Sequence, residues 1–211
     1  MAPAAPVTQF DQAGRPPAER TAADLCLALD CSTPYLAIAV VDGAGRVLGR
    51  FAEDVGRDHA ARAVGEVARL VDAVPGGRAR IGRVVAGTGP GSYTGLRVAL
   101  ATASGLARAL GAEFRGAPSF AALAAGVLAP GEEAVVTVDA RRGNVYAARC
   151  TRAAADPSRA PVVVIVTGPK KVAAAQASQL GAGVRVREAG TPDAAALAVS
   201  EQAGPPVAVY L

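Results

Sequence analysis

From Leu25 onward the chain alternates short apolar runs with clusters of turn residues, the pattern of strands separated by loops. Leu25–Asp30 is one such run, ending in a carboxylate, and Tyr35–Val41 is another. Asp42-Gly43-Ala44-Gly45 then joins the second run to Arg46–Phe51 as a hairpin, so three antiparallel strands are expected in succession. Between Ala60 and Val74 the period changes. Val64, Val67, Val71 and Val74 recur at helical spacing, with Arg62, Glu66, Arg69 and Asp72 off the stripe, and Pro75-Gly76-Gly77 ends the helix. Ile81–Ala86 predicts a further buried strand, followed by the loop Gly87–Gly95 and a helix from Leu96 to about Leu110.

Three strands, a helix, a strand, a loop and a helix is the order of a ribonuclease-H-like half-domain, a mixed sheet with helices on its faces. A second unit begins near Ser119. It predicts strands at Ala134–Asp139, Asn144–Cys150 and Val162–Val166, a helix over Lys170–Leu180, a strand near Val184–Arg187 and a helix from about Asp193. The expected organisation is an α/β chain of two related lobes, 25–118 and 119–211, the second abbreviated. Residues 1–24 are rich in Ala and Pro and lack the apolar segment of a secretory signal, which predicts a disordered lead-in.

Composition narrows the chemistry. With 211 residues, 51% hydrophobic, the chain is long enough for a proper apolar core. It has 22 Lys and Arg against 18 Asp and Glu, a net charge of +4, and the longest basic runs are the pairs Arg141-Arg142 and Lys170-Lys171. That balance permits contact with RNA without demanding it. The single His, His59, excludes a HExxH protease and any metal site built on two histidines. Three Cys without a CxxC pair fit neither a disulfide framework nor a zinc ribbon, and a reduced cytoplasmic setting is expected. No apolar run approaches the ~18 residues of a membrane span.

The loop Gly87–Gly95 runs from a strand end to a helix start, where glycines allow close backbone approach and free N–H groups suit an anion. Gly89, Gly91, Ser92 and Thr94 are therefore phosphate-proximal candidates, Ser92 or Thr94 serving as the helix cap; equally, the glycines serve loop geometry alone. The loop is neither a Walker sequence nor a GxGxxG fingerprint. Asp30 and Asp139 each end a strand. Either they face one cleft and hold a metal–nucleotide complex, or each caps its own turn. In the helix after the loop, Leu96, Ala99, Leu100, Ala103, Ala107 and Leu110 form a stripe, and the remaining residues are mostly small. It is buried on more than one side, by the core alone or by a second chain as well. His59, opening the first helix, reads as a surface or capping residue.

Taken together, Leu27–Thr33, Gly87–Arg97, Val138–Tyr146 and Pro205–Leu211 resemble, in order along the chain, the TsaB family of bacterial proteins in the threonylcarbamoyladenosine modification of tRNA. The segment GPGSYTGLR is the most specific part. The resemblance implies the actin and sugar-kinase fold and a catalytically silent subunit. Its expected partners are a TsaD-like catalytic subunit and a TsaE-like ATPase, with a homodimer when isolated and tRNA reached only through the complex. It implies no cofactor, and the glycoprotease activity once ascribed to related proteins finds no support in these residues. The family's partner surface carries over to Val64, Val67, Val71, Leu96, Leu100 and Ala103. The rival expectation is a nucleotide-dependent phosphotransferase using Asp30, Asp139 and the Gly89–Thr94 loop.

Overall fold

The computed structural model describes residues 24–154 and 156–209. Nearly all of the lead-in expected over 1–24 lies outside them; Asp24, its last residue, is paired with Arg80 at 2.8 Å.

The first sheet contains β1 (Leu25–Asp30), β2 (Tyr35–Val41), β3 (Val47–Asp54), β4 (Ile81–Gly87) and β5 (Glu113–Ala117) in the order β3-β2-β1-β4-β5. The first three strands are antiparallel, and β4 and β5 are added in parallel. This is the ribonuclease-H-like half expected from the chain order. Side chains alternate in size as well as in direction. Leu25, Leu27, Leu29, Leu36, Ile38 and Val40 enter a core under α1 (His59–Asp72) and α3 (Tyr93–Leu110), between which the single turn α2 (Gly77–Arg80) leads into β4. Their neighbours Cys26, Ala28, Ala37 and Ala39 enter a second core on the other face. The large face grips amphipathic helices; the small face admits a helix at close range.

The second sheet has β6 (Glu133–Asp139), β7 (Asn144–Arg152), β8 (Val163–Ala173) and β9 (Arg185–Glu188) in the order β8-β7-β6-β9. It repeats the first sheet's order without a fifth strand, β9 running parallel to β6 as β4 does to β1. The architecture is thus the two-lobed actin and sugar-kinase type with a reduced second lobe. Between the sheets lie α4 (Ser119–Val127) and α5 (Ala195–Ala198). The first packs on the second sheet, the second packs on β1, β2 and β4, and the two touch each other. One core therefore runs from sheet to sheet through Phe120, Leu123 and Leu197, each fully buried side chain contributing about 2 kcal/mol.

Several expectations need correction. The helix over Lys170–Leu180 is absent: β8 continues to Ala173, and a 3-10 segment spans Ala174–Leu180. A proline is tolerated in β8 because that strand is the sheet edge. The helix at Asp193 shrinks to the single turn of α5. On α1 the buried residues are His59, Ala63, Val67, Leu70 and Val71, so Val64 lies outside the core stripe. Among the described residues no helix is long and apolar enough to cross a membrane.

Candidate functional site

The segment Gly87–Gly95 is where the lobes' chemistry was expected to meet. β4 delivers it beside the end of β1, and α3 leaves it with Ser92 as its cap, the Ser92 hydroxyl accepting from the Gly95 amide at 3.2 Å. Thr94 is exposed on the first turn. The Ser92 amide donates to the Ser32 carbonyl at 2.7 Å, which pins the loop to the β1–β2 turn. From the other side, the Val209 amide donates to the Thr88 carbonyl at 2.7 Å, so the C-terminal segment straps the loop. Tyr210 and Leu211, which end the motif-bearing tail, lie outside the described residues.

The glycines are explained by these self-contacts. A Cβ on Gly87 would collide with the Asp30 carboxylate, on Gly91 with the Ser32 carbonyl, and on Gly95 with the Cys31 carbonyl. Gly89, at φ +99°, would strike the Val209 carbonyl at 2.9 Å. At these four positions close approach within the chain itself accounts for the missing side chain, as the loop-geometry alternative expects.

Asp30 is fully buried. Its Oδ1 accepts from the Ser32 amide at 2.9 Å and hydroxyl at 2.6 Å, and its Oδ2 from the Ser119 hydroxyl at 2.5 Å. Burial pushes the carboxyl above its ordinary value, against the pull of these hydrogen bonds and of nearby His59. Asp139 caps its own turn, accepting from the Arg141 amide at 2.8 Å. Its register partner is Val145, which packs on the far face of the second sheet with Val135, whereas Asp30 shares the inter-sheet face with Cys26 and Ala28. The two carboxylates expected to share a cleft are thus on different faces, and both cap turns. The turn-capping alternative for both residues is thus the one the hydrogen bonds show.

His59 is also buried rather than at the surface, its Nε2 lying 3.1 Å from the Thr33 carbonyl and 3.2 Å from that of Tyr35. It fastens α1 to the turn after β1. His59 is the single His of the chain, and among the described residues there is no group of three or more His, Cys, Asp and Glu placed to hold a metal ion. The buried thiols are pushed up, Cys150 to about 12, which makes them poor nucleophiles.

The expected partner residues divide in two. Val67, Val71, Leu96 and Ala103 are buried in the chain's own core, and Leu100 is half-buried against it. Val64 is 57% exposed. Around it on α1 lie exposed Ala60, Ala61 and Gly65; α3 presents Ala101, Gly105 and Ala109. The α1 charges Arg62, Glu66 and Arg69 occupy another flank and pair among themselves and with Glu53. Ser119 was missed from the sequence altogether, although a lone hydroxyl opening an otherwise apolar run was the available signal.

Residues 48–178 match the family model described as TsaD, tRNA N6-adenosine threonylcarbamoyltransferase. An uncharacterized protein of Mycobacterium tuberculosis is 35% identical over 159 residues, covering 70% of this chain and 74% of the relative. One from Mycobacterium leprae is 33% identical over 176 residues, covering 82% of this chain and 45% of its own length. Among solved structures, YeaZ from Pseudomonas aeruginosa superposes with a TM-score of 0.66 at 24% identity, covering 89% of this chain and all of that one.

Proposed function

Because the chain belongs to the TsaD family, whose work is the formation of threonylcarbamoyladenosine in tRNA, we propose that it serves there as a non-catalytic subunit that docks and supports a TsaD-type catalytic subunit. The observation that carries this reading is the outward face of α1 and α3. Gly65 and Gly105 sit within these helices, exposed, with nothing within 4 Å of the position a Cβ would take. A glycine there costs the isolated helix about 1 kcal/mol relative to alanine. Nothing among the described residues offsets that cost, whereas a helix from another subunit could approach closely over Val64, Gly65, Ala101 and Gly105. Catalytic silence agrees with the internal satisfaction of Asp30, Asp139 and His59.

The same face is proposed to pair two copies of the chain when no partner is present. A TsaE-like ATPase completes the assembly, and tRNA is met within it. The test is reconstitution: threonylcarbamoyl transfer to tRNA is measured with the TsaD-type subunit of the same genome, its ATPase and this chain. The reading expects no transfer from this chain alone and strong dependence of the complete system on it. Transfer by the isolated chain, or full transfer without it, contradicts the proposal.

A further inference from the structure

Basic residues are adjacent at two places in the chain, Arg141-Arg142 and Lys170-Lys171. They are far apart in sequence, yet the second sheet brings them to one end. Arg141 and Arg142 lie in the turn between β6 and β7, while β8 runs beside β7 with Lys171 opposite Tyr146 and Lys170 opposite Ala147. The Ala174 amide, just past β8, donates to the Gly143 carbonyl at 3.0 Å and ties the strand end to the turn. All four cations are exposed.

The turn is built rather than loose. The Asp139 carboxylate accepts from the Arg141 amide, the Ala140 amide donates to the Asn144 carbonyl at 2.9 Å, and the Asn144 side-chain amide donates to the Arg142 carbonyl at 3.3 Å. Arg141 (φ 64°) and Arg142 (φ 56°) both adopt the left-handed conformation that favours Gly or Asn. Arginine stands at two positions where the backbone alone would select something smaller.

Elsewhere in this sheet Arg149 pairs with Glu133, Arg185 and Arg187 pair with Glu132, and Arg152 donates to the Ala125 and Leu128 carbonyls. Among the described residues, Arg141, Arg142, Lys170 and Lys171 have no carboxylate in ion-pair range. At the end of β6 Asp139 is engaged by the turn, and Glu188 lies on β9 at the opposite edge of the sheet from β8. Lys171 Nζ lies 5.9 Å from the centre of the half-buried Tyr146 ring.

We propose that this end of the second sheet, Arg141, Arg142, Lys170 and Lys171 with Tyr146, is a contact for the sugar-phosphate backbone of RNA, so that the chain itself touches the tRNA being modified. Guanidinium forks clamp phosphate oxygens, the lysines add point charges, and the tyrosine offers a ring edge or face to a base. Each phosphate neutralised releases counterions, which makes the contact sensitive to salt. The identity of the RNA rests on the proposed role in tRNA modification; the charge arrangement does not.

The experiment is fluorescence anisotropy of a labelled, unmodified tRNA transcript titrated with the full chain over a series of KCl concentrations. The variants are Arg141→Gln with Arg142→Gln, and Lys170→Gln with Lys171→Gln. Arg57→Gln with Arg108→Gln, exposed first-lobe arginines, is the control. Each test pair is expected to weaken binding about tenfold and to flatten the log–log salt slope by about 1–2, with unchanged melting temperature, and the control to change neither. Equal binding by all variants, or no binding by the wild type at low salt, overturns the contact. So does binding to anionic phosphatidylglycerol vesicles without binding to tRNA. Because this assay needs no second protein, it fails independently of the subunit reading, which fails through lack of dependence in the transfer assay.

Discussion

The Ser119 hydroxyl donates to Asp30 Oδ2 at 2.5 Å, joining residues 89 positions apart, and accepts from the Gly89 amide at 3.0 Å. One hydroxyl thus locks together the end of β1, the glycine loop and the start of α4.

The Asp30 carboxyl is raised above its ordinary value, chiefly by burial. A carboxyl whose folded pKa exceeds its unfolded one contributes stability that is complete below the unfolded value and lost as pH rises through the folded value. Asp30→Asn, neutral at every pH, removes that dependence. Urea unfolding across a pH series should therefore give a difference, wild type minus variant, that declines as pH rises from about 4. A difference that grows over the same window would show the carboxylate to be the stabilising form.

The glycines of the loop and those of the helices should respond in opposite directions. Gly95→Ala drives a methyl into the Cys31 carbonyl and should cost about 2–3 kcal/mol. Gly65→Ala and Gly105→Ala meet nothing within one chain and should each add about 1 kcal/mol to the monomer, at concentrations too low for two copies to pair. Calorimetric melting separates the two classes, and equal effects would remove the geometric account of the loop.

His59 holds the buried Thr33 carbonyl and the part-buried Tyr35 carbonyl, so His59→Ala should lower stability by about 2 kcal/mol. In the reconstituted system transfer should survive at temperatures where the variant is folded. Loss of transfer from a fully folded variant would reveal a polar role beyond fastening α1.

Much of the fold was legible because its signals are local. β1, β2, β4 and β6 are short apolar runs between turn residues, and α1 shows its period through Val67 and Val71. Signals that depend on distant neighbours were lost. α4 is buried almost all round and so has little period to read, and β8 passes through Gly168-Pro169, which reads as a break until its edge position is known. Among candidate site residues, the Ser92 cap was readable. The engagement of Asp30 by Ser119 and the turning of Asp139 to the far face needed the register. Val64 and Val67 looked equivalent in sequence, yet the three-residue spacing sets them about 60° apart around the helix, with the first exposed and the second buried.

That distinction selects the decisive measurement, light scattering on a sizing column of this chain mixed with the TsaD-type subunit, as wild type and as Val64→Arg. Val67 or Leu100 would be poor probes because both pack in the chain's own core, whereas an arginine at exposed Val64 leaves the fold intact and places an unpaired charge in any docked interface. The account predicts a heteromer with the wild type, lost with Val64→Arg while the variant keeps its own melting temperature. No heteromer with the wild type, or one indifferent to Val64→Arg, contradicts the proposed subunit role or its place on α1 and α3.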